Sequence, residues 1–490
     1  MLIISAISPI LIYLLIVIAR IHYPFDLECI EGGSVINVQQ ILMGNMIYVQ
    51  PSLNFIPFLY TPLYYYISAV AAGLFGLGYI PLRAISFLSS LGCFVIIYLI
   101  VKKETASSLA GILAVGLFAA TYEITGTWFD LARVDSLFLL FLLLSIYFIK
   151  FANGIRSYFI AGLFLCLSFY TKQIALLSYL PLLLYCKSTK KSLLVLTSMI
   201  IILIGGGVLF LDYVHDGWFS YYTFFLPTHH SIEKKAIVNF LTKDILGYLA
   251  IACSMSLFYL IIQFSNSDKK NLAFYSLLAV GMLGGAWVSR LHIGGIQNVL
   301  MPAYAVISIL FGMGFHTLQD QTRLFEPIKA KLLETSIYLA CIMQFFCLLY
   351  NPFSYIPKQV DLEAGRAVLN IIGNIQGNIF CPASNFLPHL MGKKTFAHGC
   401  AIWDVLRGDN GSAKENLLNE IAQAVKEKQF AAIIVDREWP EGNEDVTIDD
   451  YYTKYSFYFP DENVFQPIVW SDPWHDLRPN YIYLPKPDEK

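Results

Sequence analysis

The sequence predicts a mainly α-helical protein that crosses a membrane many times and ends in a soluble α/β domain. Of its 490 residues, 57% are hydrophobic and only 14% are charged, whereas a soluble domain carries about 25% charged residues. The deficit of charge lies in residues 1–350, where repeated apolar runs approach the roughly 20 residues that a helix needs to cross a bilayer. Hydrocarbon offers no partner to backbone polar groups, so these runs are predicted to be helices.

Eleven apolar runs are predicted to span the membrane. They are residues 2–20, 82–101, 107–126, 136–150, 157–171, 174–186, 193–211, 244–264, 271–288, 298–316 and 332–350. The first run continues past Ser8 and Pro9 to Arg20 without a basic leader or a small-residue cleavage site. We therefore expect a retained span in place of a cleaved signal peptide.

Short basic loops set the orientation, because Lys and Arg favour the cytoplasmic side. Five loops carry such residues: Lys102 and Lys103; Lys150 and Arg156; Lys187, Lys190 and Lys191; Lys269 and Lys270; Arg323, Lys329 and Lys331. All five share one side if residues 61–78 do not cross. We therefore predict that 61–78 lies flat on the outer surface or re-enters, with tyrosines as interfacial anchors; an ordinary twelfth span is the alternative. The N-terminus is then cytoplasmic and the C-terminus extracytoplasmic.

The chain divides near residue 350. Residues 1–350 form the predicted transmembrane domain, with a first outer loop at 21–81. Residues 351–490 are richer in charge and proline and form the predicted outer α/β domain. Within it, 412–428 has the pattern of an amphipathic helix, and 431–436 that of a buried strand.

Nine cysteines are scattered without a CxxC pair or metal-ligand spacing. Cys381 and Cys400 fall in the predicted outer domain. A disulfide between them and two separate thiols are both open, with thiols preferred.

Three carboxylates follow the first span, at Asp26, Glu28 and Glu31. Carboxylates in this position can act as a general base or as metal ligands. The alternative is an acidic, solvated loop.

Further outer loops carry charge close to apolar runs, where charge is costly. Asp130, Arg133 and Asp135 lie in the second outer loop, and Arg133 can pair with either aspartate as a structural alternative. Lys172 lies at a tight outer corner, against the positive-inside trend. It can hold a phosphate or extend along the interface as an apolar stem with a charged head.

Two more outer loops are candidates for ligand contact. Trp218 and His229 lie in an aromatic loop that suits sugar stacking, although an interfacial aromatic belt explains it equally well. Arg290 and His292 precede a Gly-Gly turn and Asn298, where backbone amides can approach an anion.

The chain resembles the GT-C superfamily of membrane glycosyltransferases that use polyprenyl-phosphate sugars, which includes protein O-mannosyltransferases and the lipid A aminoarabinose transferase. The likeness covers roughly residues 1–300. It is carried by Glu31-Gly32 with 44–48, by 60–66 followed by Arg83, by 131–136, and by 169–173.

The resemblance implies transfer of a sugar from a polyprenyl-phosphate donor to an acceptor hydroxyl outside the cytoplasm, with inversion. It implies a base among Asp26, Glu28 and Glu31. The paired acids of relatives are here separated, which leaves the base unassigned, with Asp26 or Glu31 preferred. The other implied roles are acceptor or metal support by Asp130 and Asp135; donor-phosphate binding by Arg133, Lys172, Arg290 and His292; and sugar or lipid contact by Tyr64, Trp218, His229 and Asn298.

The implied partners are the lipid-linked donor, the bilayer and an acceptor that is a glycan, a lipid or a protein, with no nucleic acid. A divalent cation, Mg²⁺ or Mn²⁺, is left open. The main alternative function is a transporter or flippase of a lipid-linked or anionic solute. Transporters tend to show internal repeats and broken helices near the midplane, and the sequence shows neither. A membrane scaffold and a polysaccharide polymerase or ligase are weaker alternatives.

Overall fold

Helices dominate the computed structural model, which describes residues 1–151, 154–186, 190–265, 269–409, 411–437, 447–459, 465 and 478–487. The helices up to residue 350 are α1 Leu2–Arg20, α2 Glu31–Leu42, α3 Leu63–Phe75, α4 Tyr79–Thr105, α5 Ser108–Ala120, α6 Asp135–Phe151, α7 Ile155–Thr171, α8 Ala175–Cys186, α9 Lys190–Val214, α10 Ala236–Ser265, α11 Lys270–Leu291, α12 Gln297–Thr322 and α13 Pro327–Phe346. Short helical turns cover Trp218–Ser220, Tyr221–Phe225 and Leu226–His229. Each of the eleven predicted spans therefore contains a helix.

Six helices in the described ranges are long and apolar enough to cross a membrane: α1, α4, α9, α10, α11 and α12. Four shorter apolar helices accompany them: α3, α5, α7 and α8. The protein is thus a multi-pass helical membrane protein. The 13 residues of α3 rise about 20 Å, short of the about 30 Å of hydrocarbon.

Serine side chains in α1 find their hydrogen-bond partners within the helix itself. The hydroxyl groups of Ser5 and Ser8 donate to carbonyl groups one turn earlier.

Helix α12 lies at the centre of the bundle, where glycine permits close backbone contact. A Cβ atom on Gly314 would lie 2.2 Å from the carbonyl oxygen of Met255, so a larger residue would push α10 away.

A four-stranded sheet follows the helical bundle, with strand order β1-β2-β4-β3. Its strands are β1 Ile379–Phe380, β2 Ala432–Val435, β3 Tyr452–Ser456 and β4 Tyr481–Pro485. β1 pairs with β2 in parallel, with Ile379 opposite Ala432, and the other pairs are antiparallel. β2 is buried throughout, which accounts for its continuous apolar sequence.

The helices around this sheet are α14 Gln359–Asn374, α15 Gly399–Gly408 and α16 Ser412–Lys426, with short turns at Pro352–Tyr355, Leu387–Leu390 and Ile448–Tyr451. The amphipathic helix predicted at 412–428 and the strand predicted at 431–436 are therefore confirmed as elements. The boundary near residue 350 stays a prediction.

The first outer loop packs against the C-terminal part of the chain. The amide of Ala397 donates to the carbonyl group of Leu53 at 2.9 Å, and the amide of Leu53 donates to Glu420 Oε2 at 2.8 Å. One apolar cluster includes residues of this loop, α2 and α3 together with residues of β2 and α16. These contacts cover the end of the bundle at which the charged side chains collect.

Candidate active site

Glu31 is the most completely bonded carboxylate at this end of the bundle. Arg83, near the start of α4, donates to both of its oxygens, at 2.9 Å from Nε and 2.6 Å from Nη2. The amides of Leu27 and Ala132 each donate to it at 2.7 Å. Burial opposes ionisation, but Arg83 and these amides hold the pKa of Glu31 below its ordinary value. A saturated, ionised carboxylate has little capacity left to accept a proton from a substrate.

Arg83 also fastens the loop that precedes Glu31. Its guanidinium donates to the carbonyl groups of Tyr23 at 2.5 Å and Phe25 at 2.7 Å. Both side chains of the Arg83–Glu31 pair are fully buried. The pair therefore fixes the backbone on either side of Asp26.

Asp26 is bonded through one oxygen only. Its Oδ1 accepts from the amide of Gly32, the second residue of α2, at 2.6 Å. Its Oδ2 has no hydrogen-bond partner among the described residues. The Tyr79 hydroxyl lies near the carboxyl group and lowers its pKa. Burial and the neighbouring Glu31 carboxylate raise the pKa of Asp26 to about 7. A carboxylate with one unused oxygen and a pKa near neutrality has the properties of a general base.

Gly32 is required for this contact. A Cβ atom at this position would lie 2.8 Å from Asp26 Oδ1 and 3.2 Å from the Cβ atom of Phe386. A side chain there would displace the carboxylate.

Glu28 pairs with Arg133 on the opposite side of the loop. Arg133 Nη1 lies 3.1 and 3.3 Å from the two oxygens of Glu28. The same guanidinium donates to the Tyr60 hydroxyl at 2.8 Å and lies over the Trp128 ring at 4.4 Å. Burial raises the pKa of Glu28 although Arg133 opposes the shift. Arg133 therefore pairs with neither aspartate of its own loop, and that structural alternative is wrong.

Lys172 and Asp135 form the next pair. Lys172 Nζ donates to Asp135 Oδ1 at 2.6 Å, and Asn298 Nδ2 donates to the same oxygen at 2.9 Å. Asp135 Oδ2 has no partner in the described part of the chain. Lys172 Nζ also lies 5.8 Å from the centre of the Tyr60 ring. Tyr60 therefore lies close to both the ammonium group of Lys172 and the guanidinium group of Arg133.

A small cavity lies beside the Lys172–Asp135 pair. Asp135, Lys172, Asn298, Ser178 and Ser289 contribute its polar lining. The cavity has room for about one water molecule.

Asp130 has a different environment. Arg20, the last residue of α1, donates to both of its oxygens at 2.8 Å, and the Tyr122 hydroxyl donates at 2.8 Å. Arg20 and Asp130 are both almost fully buried. The pair closes α1 against the second outer loop. Arg20 was not singled out by the sequence analysis, although a cation at the predicted outer end of the first span opposes the positive-inside trend and was a usable signal.

Arg290, near the end of α11, makes contacts with other residues. It pairs with Asp244 Oδ2 at 2.9 Å and donates to the carbonyl group of Gly295 at 2.6 Å. His292 stacks near His230, with ring centres 4.8 Å apart. Burial and His230 lower the pKa of His292 to about 4, so its ring is neutral at pH 7.

The predicted sugar and lipid contacts are dispersed. The Tyr64 hydroxyl is buried and donates to the carbonyl group of Leu82 at 3.0 Å. Trp218 packs edge-on against Tyr221 at 4.9 Å. His229 is exposed and bonds the Phe225 carbonyl group of its own segment at 2.8 Å. The roles predicted for these three residues stay predictions.

A chain of contacts joins six of the predicted residues: Glu31, Arg133, Glu28, Lys172, Asp135 and Asn298. Glu31 accepts from the amide of Ala132, whose neighbour Arg133 contacts both Glu28 and Tyr60. The Tyr60 ring also lies near Lys172, which donates to Asp135, and Asp135 accepts from Asn298 as well. Asp26 lies beside Glu31 at one end. Within the described ranges, no group of three or more His, Cys, Asp or Glu side chains is arranged to hold a metal ion. The divalent cation, Mg²⁺ or Mn²⁺, stays as open as the sequence left it.

Comparison with known proteins agrees with this geometry. Residues 59–218, about a third of the chain, match the model of the family described as dolichyl-phosphate-mannose-protein mannosyltransferase. That range contains Arg83, Arg133, Asp135 and Lys172 and ends before Arg290. The first-loop carboxylates lie outside it. No curated protein matches the sequence.

Solved structures of two proteins show a similar fold. ArnT from Cupriavidus metallidurans in its apo state aligns with a TM-score of 0.57 and 10% identity, over 98% of each chain. ArnT bound to undecaprenyl phosphate aligns with the same TM-score and identity, over 98% of this chain and 97% of that one. The oligosaccharyltransferase AglB from Archaeoglobus fulgidus, in complex with an inhibitory peptide and a dolichol-phosphate, aligns with a TM-score of 0.54 and 12% identity, over 93% of this chain and 73% of that one.

These matches define the class. The resemblance to the GT-C superfamily that the sequence motifs indicated is confirmed, by the family model over residues 59–218 and by the fold over almost the whole chain. The chain is thus similar to membrane glycosyltransferases of GT-C type.

Proposed function

We propose that this protein transfers a sugar from a polyprenyl-phosphate donor to an acceptor hydroxyl on the extracytoplasmic face of a membrane, with inversion. The family description names a dolichyl-phosphate-linked sugar, and the two similar structures contain undecaprenyl phosphate and dolichol-phosphate. The observation that carries the proposal is Asp26, a buried carboxylate with one unused oxygen and a pKa near 7, next to the buried Arg83–Glu31 pair.

Asp26 is the proposed base. Its Oδ2 takes the proton of the acceptor hydroxyl while the acceptor oxygen attacks the anomeric carbon of the sugar. The bond from that carbon to the phosphate oxygen breaks, and polyprenyl phosphate leaves with the electron pair. Attack from the side opposite the leaving group inverts the anomeric centre.

The departing phosphate gains charge, and preorganised cations stabilise such charge most effectively. Arg133 and Lys172 both lie close to Tyr60, and both are more than nine-tenths buried. Each is paired with one carboxylate, so the donor phosphate would share cations that are already held in place. Asp135 and Asn298 position the lysine. Arg290, engaged by Asp244, is at most a second contact to the lipid phosphate in this proposal.

The proposed topology has eleven spans with a cytoplasmic N-terminus and an outer C-terminal α/β domain. Contacts at the opposite end of the bundle support it. Lys150 Nζ lies 3.2 Å from Glu104 and donates to Asn271 at 2.6 Å, which brings the ends of α4 and α6 and the start of α11 together. Three of the predicted basic loops therefore meet at one end. Lys187, in another of these loops, lies outside the described residues.

The test is incubation of membranes that contain the protein with radiolabelled polyprenyl-phosphate sugars, followed by identification of the labelled product. The proposal expects a glycosylated acceptor and release of polyprenyl phosphate. Movement of the labelled lipid between leaflets with no glycosylated product would instead identify a flippase.

A further inference from the structure

Two cysteines that are 371 positions apart in numbering lie on either side of one imidazole ring. His398 Nε2 is 2.7 Å from the carbonyl oxygen of Cys29, and its Nδ1 accepts from the amide of Cys400 at 3.0 Å. These two contacts define the neutral tautomer with hydrogen on Nε2. The backbones of Cys29 and Cys400 are therefore bridged by a single imidazole ring, with one hydrogen bond to each.

The two thiol groups also interact with each other. Cys400 is the leading cause of a raised pKa for the Cys29 thiol, through a side-chain hydrogen bond, and burial adds to it. Cys29 Sγ also donates to Glu28 Oε1 at 3.1 Å. Both cysteines are partly exposed, and both are thiols in the structure. A disulfide needs two cysteines whose side chains point at each other at close range.

We propose that Cys29 and Cys400 form a disulfide that ties the first outer loop to helix α15. The proposal rests on the extracytoplasmic placement of the site for its cellular relevance, because disulfides persist in oxidising compartments. It replaces the Cys381–Cys400 pair considered from the sequence. Cys381 is buried beside Ser384 and Asp26, and Cys400 is engaged with Cys29 instead.

The chemistry is thiol–disulfide exchange with an oxidised dithiol or glutathione disulfide. His398, which interacts with the Cys400 side chain, takes the proton from that thiol. The Cys400 thiolate attacks the donor disulfide, and one donor thiol leaves. Cys29 then displaces the second donor thiol. Two protein thiols are oxidised, one donor disulfide is reduced, and two protons pass to the released thiols.

The bond would lie at the residue directly after Glu28 and three residues after Asp26. It would remove the S–H donor from Glu28 and leave Arg133 and the amide of Ile30 as its partners. The carboxylates of the proposed site would then be held by a covalent link to α15 in place of a hydrogen-bonded contact.

The experiment treats the purified full-length protein in detergent with glutathione disulfide, blocks remaining thiols with N-ethylmaleimide, digests it, and analyses the peptides by mass spectrometry. The expected result is a cross-linked peptide that joins Cys29 to Cys400 and separates on reduction. It is absent from Cys29→Ser and retained in the matched control Cys381→Ser.

Recovery of Cys29 and Cys400 as separate alkylated or glutathionylated peptides, or a link between Cys400 and Cys381, would overturn the proposal. The wild-type measurement decides the question even if a variant does not fold. The readout needs no sugar donor. Failure of the cross-link therefore leaves the transferase assay untouched, and failure of transfer leaves the cross-link measurable.

Discussion

Three carboxylates within six residues of the chain have three different environments. Glu31 is saturated by Arg83 and two amides, and Glu28 is paired with Arg133, whereas Asp26 keeps one oxygen without a partner among the described residues. Type and spacing of the residues do not distinguish them. Their contacts distinguish them: Asp26 is the candidate base, whereas Glu28 and Glu31 hold the conformation of the loop.

Asp26→Asn is expected to lower the transfer rate by at least about 10²-fold, because proton transfer by a positioned base contributes about 10²–10⁴-fold. An asparagine preserves the acceptor for the Gly32 amide, so the protein should fold. Transfer of labelled sugar, measured beside size-exclusion behaviour, checks this. The matched control is Asp449→Asn at an exposed carboxylate, which should be as active as the wild type. Full activity in Asp26→Asn would remove Asp26 from the mechanism.

The pH dependence of transfer follows from the same group. The base form of Asp26 is the ionised carboxylate, and its raised pKa of about 7 means that protons occupy it at lower pH. The value of kcat/KM should therefore fall about tenfold per pH unit below about pH 7 and level off above it.

A substitution at Tyr79 tests that assignment. The Tyr79 hydroxyl lowers the pKa of Asp26, so Tyr79→Phe should remove that effect and move the acidic limb of the profile to higher pH. An unmoved limb would mean that another group controls the profile.

At the scale of elements, buried ion pairs join helices to the loops between them. Arg83–Glu31 holds α4 against α2, and Arg20–Asp130 holds α1 against the second outer loop. Breaking a buried pair by removing one partner leaves an uncompensated charge, at a cost of about 3–5 kcal/mol.

Arg83→Met is therefore expected to destabilise the protein by about 3–5 kcal/mol, which thermal unfolding in detergent would detect as a large fall in midpoint. The matched control is Arg323→Met. Arg323 is 80% exposed and pairs with Asp320 at 3.1 Å, and an exposed pair contributes about 0–1 kcal/mol. Equal shifts in the two variants would show that the buried pair does not anchor the loop.

The corner between α7 and α8 presents Lys172 to the first residue of α6. Lys172→Met is expected to weaken binding of polyprenyl phosphate by about 10–100-fold, because a hydrogen bond to a charged group contributes about 1.5–3 kcal/mol. Asp135→Asn retains the shape of the side chain and frees the ammonium group, so it should bind the lipid phosphate at least as tightly as the wild type. Binding can be measured by displacement of a fluorescent lipid phosphate. Equal weakening in both variants would favour a structural role for the pair.

At the scale of the molecule, the account requires the charged network and the basic loops to lie on opposite sides of one membrane. Single cysteines introduced by Lys103→Cys and Lys190→Cys should resist a membrane-impermeant maleimide in intact cells, and one introduced by Asp449→Cys should react. The exposed native Cys347 and the partly exposed Cys29, Cys253 and Cys400 are replaced by Ser in this background. Labelling of all three positions from the same side would contradict the topology.

How far the sequence predicted this structure depends on the range of the interactions. Apolar runs gave the helices, because a backbone in hydrocarbon has no other way to satisfy its polar groups. The polar partners were harder, because they join segments far apart in the chain. Arg133 lies two residues from Asp135 and three from Asp130, yet it pairs with Glu28, about 100 residues earlier. His398 and Arg20 have no local pattern that connects them to the first-loop carboxylates.

The central claim is that Arg133 and Lys172, which both lie close to Tyr60, bind the phosphate of the lipid carrier. Asp26 then activates an acceptor hydroxyl that attacks the sugar on that carrier. A structure of the protein with bound polyprenyl phosphate tests it most directly. The account predicts phosphate oxygens within hydrogen-bond distance of the Arg133 guanidinium and the Lys172 ammonium group. A phosphate bound at Arg290 alone, or away from all three cations, would contradict it.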